Sequence, residues 1–136
     1  MPVAQSRLSF ADERGSSPVE FVLVGTLLTL LTLGVMQLAL AVYVRNIVHD
    51  AAVDGAYHAA LADTTTEQGA ERAREVITRA VGAAYAEDVT VVRSMALAQP
   101  TIEVRIRTTL PVIGLLGVPF GLEVQAHAPE ESFDDG

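Results

Sequence analysis

The sequence predicts an α+β protein: a long N-terminal helix with a membrane-spanning first half, then a second helix and a small antiparallel β-sheet. Three observations predict it. Phe21 to Val44 is apolar, with no ionisable group but the Tyr43 phenol. Apolar positions then recur at helical spacing as far as Tyr85. After Asp88 the alternation changes to period two, the mark of half-buried strands.

The first element is the apolar block. At 1.5 Å per residue, Phe21–Val44 covers a hydrocarbon core of about 30 Å as a helix. It is apolar on every side, and a chain of 136 residues is too small to enclose it. Thr26, Thr29 and Thr32 can return their hydroxyls to the preceding turn. Gly25 with Thr29 forms a small-xxx-small pair, and Gln37 is the lone amide; these three are the candidate helix-packing residues. The helix is expected to continue to about residue 62, through an alanine-rich, proline-free stretch. Val48, Ala52, Ala56, Ala59 and Ala60 then form one small-residue face, and Gly55 marks a bend or a close contact.

"DTTTEQG" at residues 63–69 breaks the pattern. Thr64-x-x-Glu67 has capping-box spacing, and Thr66 is a second candidate cap, for a helix from about Glu67 to Tyr85. Glu75–Arg79 is a favourable i, i+4 pair on that helix. Three strands should follow. One is "VTVVRSMAL"; the second has Ile102, Val104 and Ile106 on its apolar face; the third has Leu122, Val124 and Ala126. Residues 111–122, "PVIGLLGVPFGL", hold two prolines and three glycines, which argues against a helix or a central strand. Two readings stand for it: a loop tucked under the sheet, or an exposed apolar patch meeting the bilayer or a partner subunit. Domain bounds follow as a leader over 1–15, a long helix over 16–62 with its span at about 21–44, and an extracytoplasmic domain over 63–128. An acidic disordered tail over 129–136 completes the chain.

Composition narrows the function. The formal net charge is −8, with nine arginines and no lysine, which argues against nucleic-acid binding. There is no cysteine, hence no disulfide and no thiolate site. No phosphate-binding loop, zinc motif or assembled catalytic set is present, so neither an enzyme nor a cofactor is expected. Asp50, Asp54 and His58 fall at successive i, i+4 positions, but such a stripe is more often the wet side of a helix than a metal site. Arg7 and Arg14 precede the span and Arg45 follows it, which puts the N-terminus in the cytoplasm and the C-terminus outside.

Glu20 is the anomaly, a carboxylate at the head of a charge-free apolar run. Gly15, four residues, Glu20 and Phe21 together resemble the processing site of type IV pilins and pseudopilins. That resemblance implies removal of the leader by a membrane-embedded prepilin peptidase, between Gly15 and Ser16. A cut there would leave an α-ammonium on Ser16 about one helical turn from the Glu20 carboxylate. Losing one partner of such a buried pair typically costs ~3–5 kcal/mol. The glutamate would also sit near the positive end of the helix dipole, and Pro18 suits a first turn.

The match extends from Arg14 to Asp63 and resembles the TadE-like minor pilins of the tight-adherence (Flp) pilus system. It rests on Arg14, Gly15, Val19, Glu20 and Phe21; then Tyr43, Arg45 and Asn46; then Ala51, Ala52, Gly55 and Ala56. At position 57, where the family often has a basic residue, this chain has Tyr57. The resemblance implies a pilin-like protein of the cytoplasmic membrane, matured by prepilin peptidase. Its partners would be membrane lipid, other pilins or pseudopilins and the pilus assembly platform. The alternatives are an uncleaved signal-anchored protein with a small external binding domain, and a secreted protein cut after Ala41.

Overall fold

The computed structural model describes residues 15–96, 98–113 and 116–131. The expected leader, apart from Gly15, and the tail from residue 132 lie outside the described residues. The chain divides into two units, one ending at Met36 and the other beginning at Gln37. One helix, α1, spans Ser16–Ala60, and α2 spans Thr66–Ala80. A 3-10 turn at Ala83–Tyr85 leads into β1 (Asp88–Ala96), β2 (Gln99–Ile113) and β3 (Leu116–Pro129). The sheet is antiparallel in the order β1-β2-β3, so the α+β class and its elements are as the sequence predicts.

In the first unit, the threonines behave as expected. Thr26, Thr29 and Thr32 each donate to the carbonyl four residues back, at 2.8 Å. The hydroxyls are thereby satisfied without any partner outside the helix.

The second unit is built on the small-residue stripe of α1. Val44, Val48, Ala51, Ala52, Ala56, Ala59 and Ala60 share one buried cluster with Ile77 of α2 and with Ile102, Val104 and Ile106 of β2. From β3 the cluster takes Leu122, Val124, Ala126 and Ala128. The helix thus contributes mainly alanines to this core and the sheet mainly branched residues. Burying one such isoleucine contributes about 1.5–3 kcal/mol.

Gly55 proves to be a close contact, and its partner is Gly69. A Cβ on Gly55 would stand 2.8 Å from the Gly69 carbonyl oxygen; one on Gly69 would stand 2.7 Å from that of Gly55 and 2.4 Å from the Ala59 Cβ. The two helices therefore cross backbone to backbone. Beside the crossing, Arg72 Nε donates to Asp54 at 2.7 Å. Asp54 is thus engaged in tying α2 to α1, while Asp50 lies 3.8 Å from His49.

The cap of α2 differs by one residue from the expectation. The N-cap is Thr65, whose Oγ1 accepts from Gln68 N–H at 3.2 Å while Gln68 Oε1 accepts from Thr65 N–H at 2.8 Å. Thr64 is not available for this, because its hydroxyl donates to the carbonyls of His58 and Leu61 and closes the end of α1. The helix also stops five residues early. Val81 and Gly82 N–H both donate to the Ile77 carbonyl, and Gly82 has φ of 108°, which a side chain would resist. Glu75 and Arg79 pair as expected.

Residues 111–122 correct the loop reading: they are the far arms of the β2–β3 hairpin, apart from 114–115, which lie outside the described residues. The prolines are tolerated for a topological reason. β1 pairs with β2 only from Gln99 to Arg107, so Pro111 stands where β2 has no β1 neighbour. The register also shifts between Thr108 and Leu110, so that Pro119, Phe120 and Gly121 lie against the single residue Thr109. Phe120 takes φ of 55° in this bulge. At the other end, Glu130 and Glu131 are held, against the expectation of a free tail from 129. Their N–H groups donate to Pro100 and Ala60 carbonyls at 3.0 and 2.9 Å, and Glu130 pairs with Arg93 at 3.3 Å.

The solvent face of the sheet carries a charge lattice around Glu123, which meets Arg107 at 3.0 Å and Arg105 at 3.6 Å. A hydrogen bond from Gln125 holds the Glu123 carboxyl below the usual carboxylate range, aided by Arg107 and Arg105; partial desolvation works the other way. Because the folded value is the lower one, the lattice stabilises fully above the ordinary Glu range and weakens as pH falls through the folded value. Acid titration followed by circular dichroism should show that loss, and Glu123→Gln should flatten it. Gly69→Ala should destabilise the second unit by about 1–3 kcal/mol in a denaturant melt, since backbone rather than a mobile side chain blocks the new methyl.

Candidate functional site

Every residue from Gly15 to Met36 is exposed. Phe21, directly after Glu20, is 80% exposed. Only 6% of the most apolar window of α1 is buried inside the chain, although its mean hydropathy is 2.1. A core helix of a water-soluble fold would bury that surface against its own chain. This helix is long and apolar enough to cross a membrane. Its internally bonded backbone and threonine hydroxyls meet the requirement that lipid satisfies no polar group.

Ser16 is the first residue of α1 and follows directly on Gly15, which occupies a turn. Pro18 falls in the first turn as expected, where a missing N–H is harmless. Glu20 does not: it is the fifth helical residue, and the first turn holds no acid. The dipole effect fades within a turn, so Glu20 draws less from it than the sequence suggests. Its side chain is exposed, as are those of Ser16 and Phe21. Glu20 thus stands on the helix surface, on the side of any medium or neighbour that surrounds it.

The packing candidates separate into two kinds. A Cβ added at Gly15, Gly25 or Gly34 would meet nothing within 4 Å, so none of these glycines is filled by its own chain. Thr29 lies one turn beyond Gly25 with its hydroxyl turned back onto the Gly25 carbonyl. Gln37, at the start of the second unit, is half-buried, and its Oε1 is shielded without a hydrogen-bond partner. The structure gathers no three potential metal-ligating side chains among the described residues.

The geometry defines a class first: an α+β unit carried by a helix whose exposed apolar segment is suited to lipid. Residues 15–56 match the family model of TadE-like proteins, which begins at Gly15 and takes in Glu20, Phe21 and the Ala51–Ala56 stretch. The N-terminal part of this chain is therefore similar to TadE-like proteins, in agreement with the resemblance drawn from its motifs. No curated protein and no solved structure matches the chain.

The membrane reading is open to a direct check. Leu31→Arg places a guanidinium near the middle of the span, at a cost of about 2.5–3.5 kcal/mol for insertion. The variant should shift from the carbonate-resistant membrane fraction toward the extractable one, whereas Leu31→Ile should remain.

Proposed function

We propose that this protein is a minor pilin or pseudopilin of a tight-adherence type IV pilus, cut by prepilin peptidase between Gly15 and Ser16. The TadE-like match implies a protein associated with that pilus system. The observation that carries the finer reading is the coincidence of three features at one point. α1 begins at Ser16, the family match begins at Gly15, and an exposed Glu20 heads a run of apolar residues. After the cut, the new α-ammonium and the Glu20 carboxylate lie about one turn apart on the helix, at the level where the chain leaves water. Glu20 would then be met by the amine of a neighbouring subunit as the helices bundle, which offsets the cost of a lone charge near lipid.

The role is structural, with the first part of α1 as the assembly element and the second unit displayed outside the cytoplasmic membrane. Gly25 and Thr29 would let a neighbouring helix approach closely.

The N-terminal mass of the chain from membranes of its host tests the reading. A start at Ser16 supports it; a start at Met1 leaves an ordinary signal anchor; a start at Val42 removes the anchor altogether. Gly15→Leu should block leader removal. Glu20→Ala should be cut nearly as well as the parent yet be depleted from pili. Equal incorporation of Glu20→Ala would remove the charge-pairing role.

A further inference from the structure

We infer that Arg45 of one copy seats in a notch beside Tyr57 and Glu131 of a second copy, so that copies of this chain join in an open series. Both patches lie within the second unit. Arg45 is the first support. Seven arginines fall among the described residues, and six of them meet a carboxylate: Arg72, Arg74, Arg79, Arg93, Arg105 and Arg107. Arg45, exposed on α1, meets none among the described residues. The notch is the second support. Tyr57, Leu61 and Pro129 wall a cleft of about 330 Å³ that Asp54 and Glu131 also line. Glu131 N–H donates to the Ala60 carbonyl, which holds this residue against the end of α1. Arg72 takes up Asp54 at 2.7 Å, whereas the Glu131 carboxylate has no cationic partner among the described residues. The Tyr57 ring beside it is 60% exposed. A carboxylate next to an exposed aromatic ring and apolar walls suits a guanidinium, which stacks on a ring while donating to an acid.

Placement shows that the two patches meet between copies. Arg45 and Asp54 are nine residues apart on α1, about two and a half turns, so they project from opposite sides of it. Tyr57 lies twelve residues beyond Arg45, about 18 Å along the axis at helical rise. Arg45 therefore cannot enter the notch of its own chain. A contact between two different patches is heterologous, and one that carries such an axial shift does not close on itself. Copies are stepped along α1, each offering its notch to the Arg45 of the next. The occupant is a second copy because the charge that each patch lacks is carried by the other, on the opposite flank of the same helix. A single exposed pair adds little affinity, so this one sets the step between copies already held side by side. The inference rests on the reading that copies of α1 pack together in a pilus, and it adds that the chain's neighbours there include its own kind.

The chain has no cysteine, so introduced ones cross-link without background. His49, exposed one turn beyond Arg45, and Leu61, exposed in the notch, can take them and leave Arg45, Tyr57 and Glu131 in place. Pili sheared from the host are treated with a short bismaleimide. The full-length His49→Cys/Leu61→Cys chain should give a ladder of multimers. A mixture of the two single variants should give dimers, and neither single variant alone should cross-link. In the double-cysteine chain, Arg45→Gln or Glu131→Gln should lower the cross-linked fraction about fivefold, and Arg45→Glu with Glu131→Arg should restore it. That rescue separates the pair from a contact of Arg45 with lipid headgroups, which a change at 131 would not repair. Cross-linking by either single variant marks a two-fold contact of like patches and overturns the inference, as does a ladder that Arg45→Gln leaves unchanged. Chain present in pili without cross-links overturns the inference alone; chain absent from pili overturns the pilus reading with it.

Discussion

Desolvation of α1 is the constraint on which the rest depends. Residues from Gly15 to Met36 are exposed on every side and cannot be satisfied by the chain itself, so their apolar surface needs another phase. From Val44 onward the same helix is apolar along one stripe only, and the chain supplies the cover: α2 and three strands. The two demands select different residues. The first stretch uses leucine, valine and self-bonded threonine, which suit lipid. The second uses alanine and Gly55, which let backbones approach. A long side chain on the second stripe would hold α2 away at Gly55–Gly69, and the shared core would open.

Charge placement follows from the same constraint. Ion pairs lie on the wet faces of the second unit, where Arg72, Arg105 and Arg107 find carboxylates. Between Glu20 and Arg45 there are none. Such surface pairs contribute little individually, about 0–1 kcal/mol each, so their absence from the apolar stretch costs the fold nothing. The carboxylate of Glu20 is the exception that composition does not explain. Under the proposed processing it becomes half of a pair whose other half is made by the cut itself. Assembly competence would then be created by proteolysis, and an unprocessed chain would lack the counter-charge that makes bundling favourable.

Much of this was legible in the sequence because it is written in local pattern. The apolar run, the threonine hydroxyls, the small-residue stripe and the inward set Ile102, Val104 and Ile106 all follow from periods of 3.6 and 2. What was not legible depends on partners distant in the chain. Gly69 reads as a helix breaker until Gly55 is seen opposite it. Thr64 and Thr65 are equivalent by spacing, and only the end of α1, which takes the Thr64 hydroxyl, decides between them. Pro111 argues against a strand unless β1 is known to have stopped before it. Glu20 reads as a first-turn residue from the sequence, but the start of α1 at Ser16 puts it past the first turn and shifts the argument from the dipole to a charge partner.

The hairpin arms show how topology changes the meaning of a composition. A two-stranded extension has two open edges, and an uncharged one in water invites strand addition by other chains. Here Pro111 and Pro119 each remove a backbone donor, and the bulge at residues 119–121 breaks the regular ladder. Those devices weaken pairing through the backbone without reducing the apolar character of the side chains. A segment meant to recruit another strand would keep its donors, and one meant to face water would carry charges. This one does neither, and where the arms leave β1 the chain itself takes up the apolar side chains: Pro111 is fully buried and Leu110 packs against the shared core.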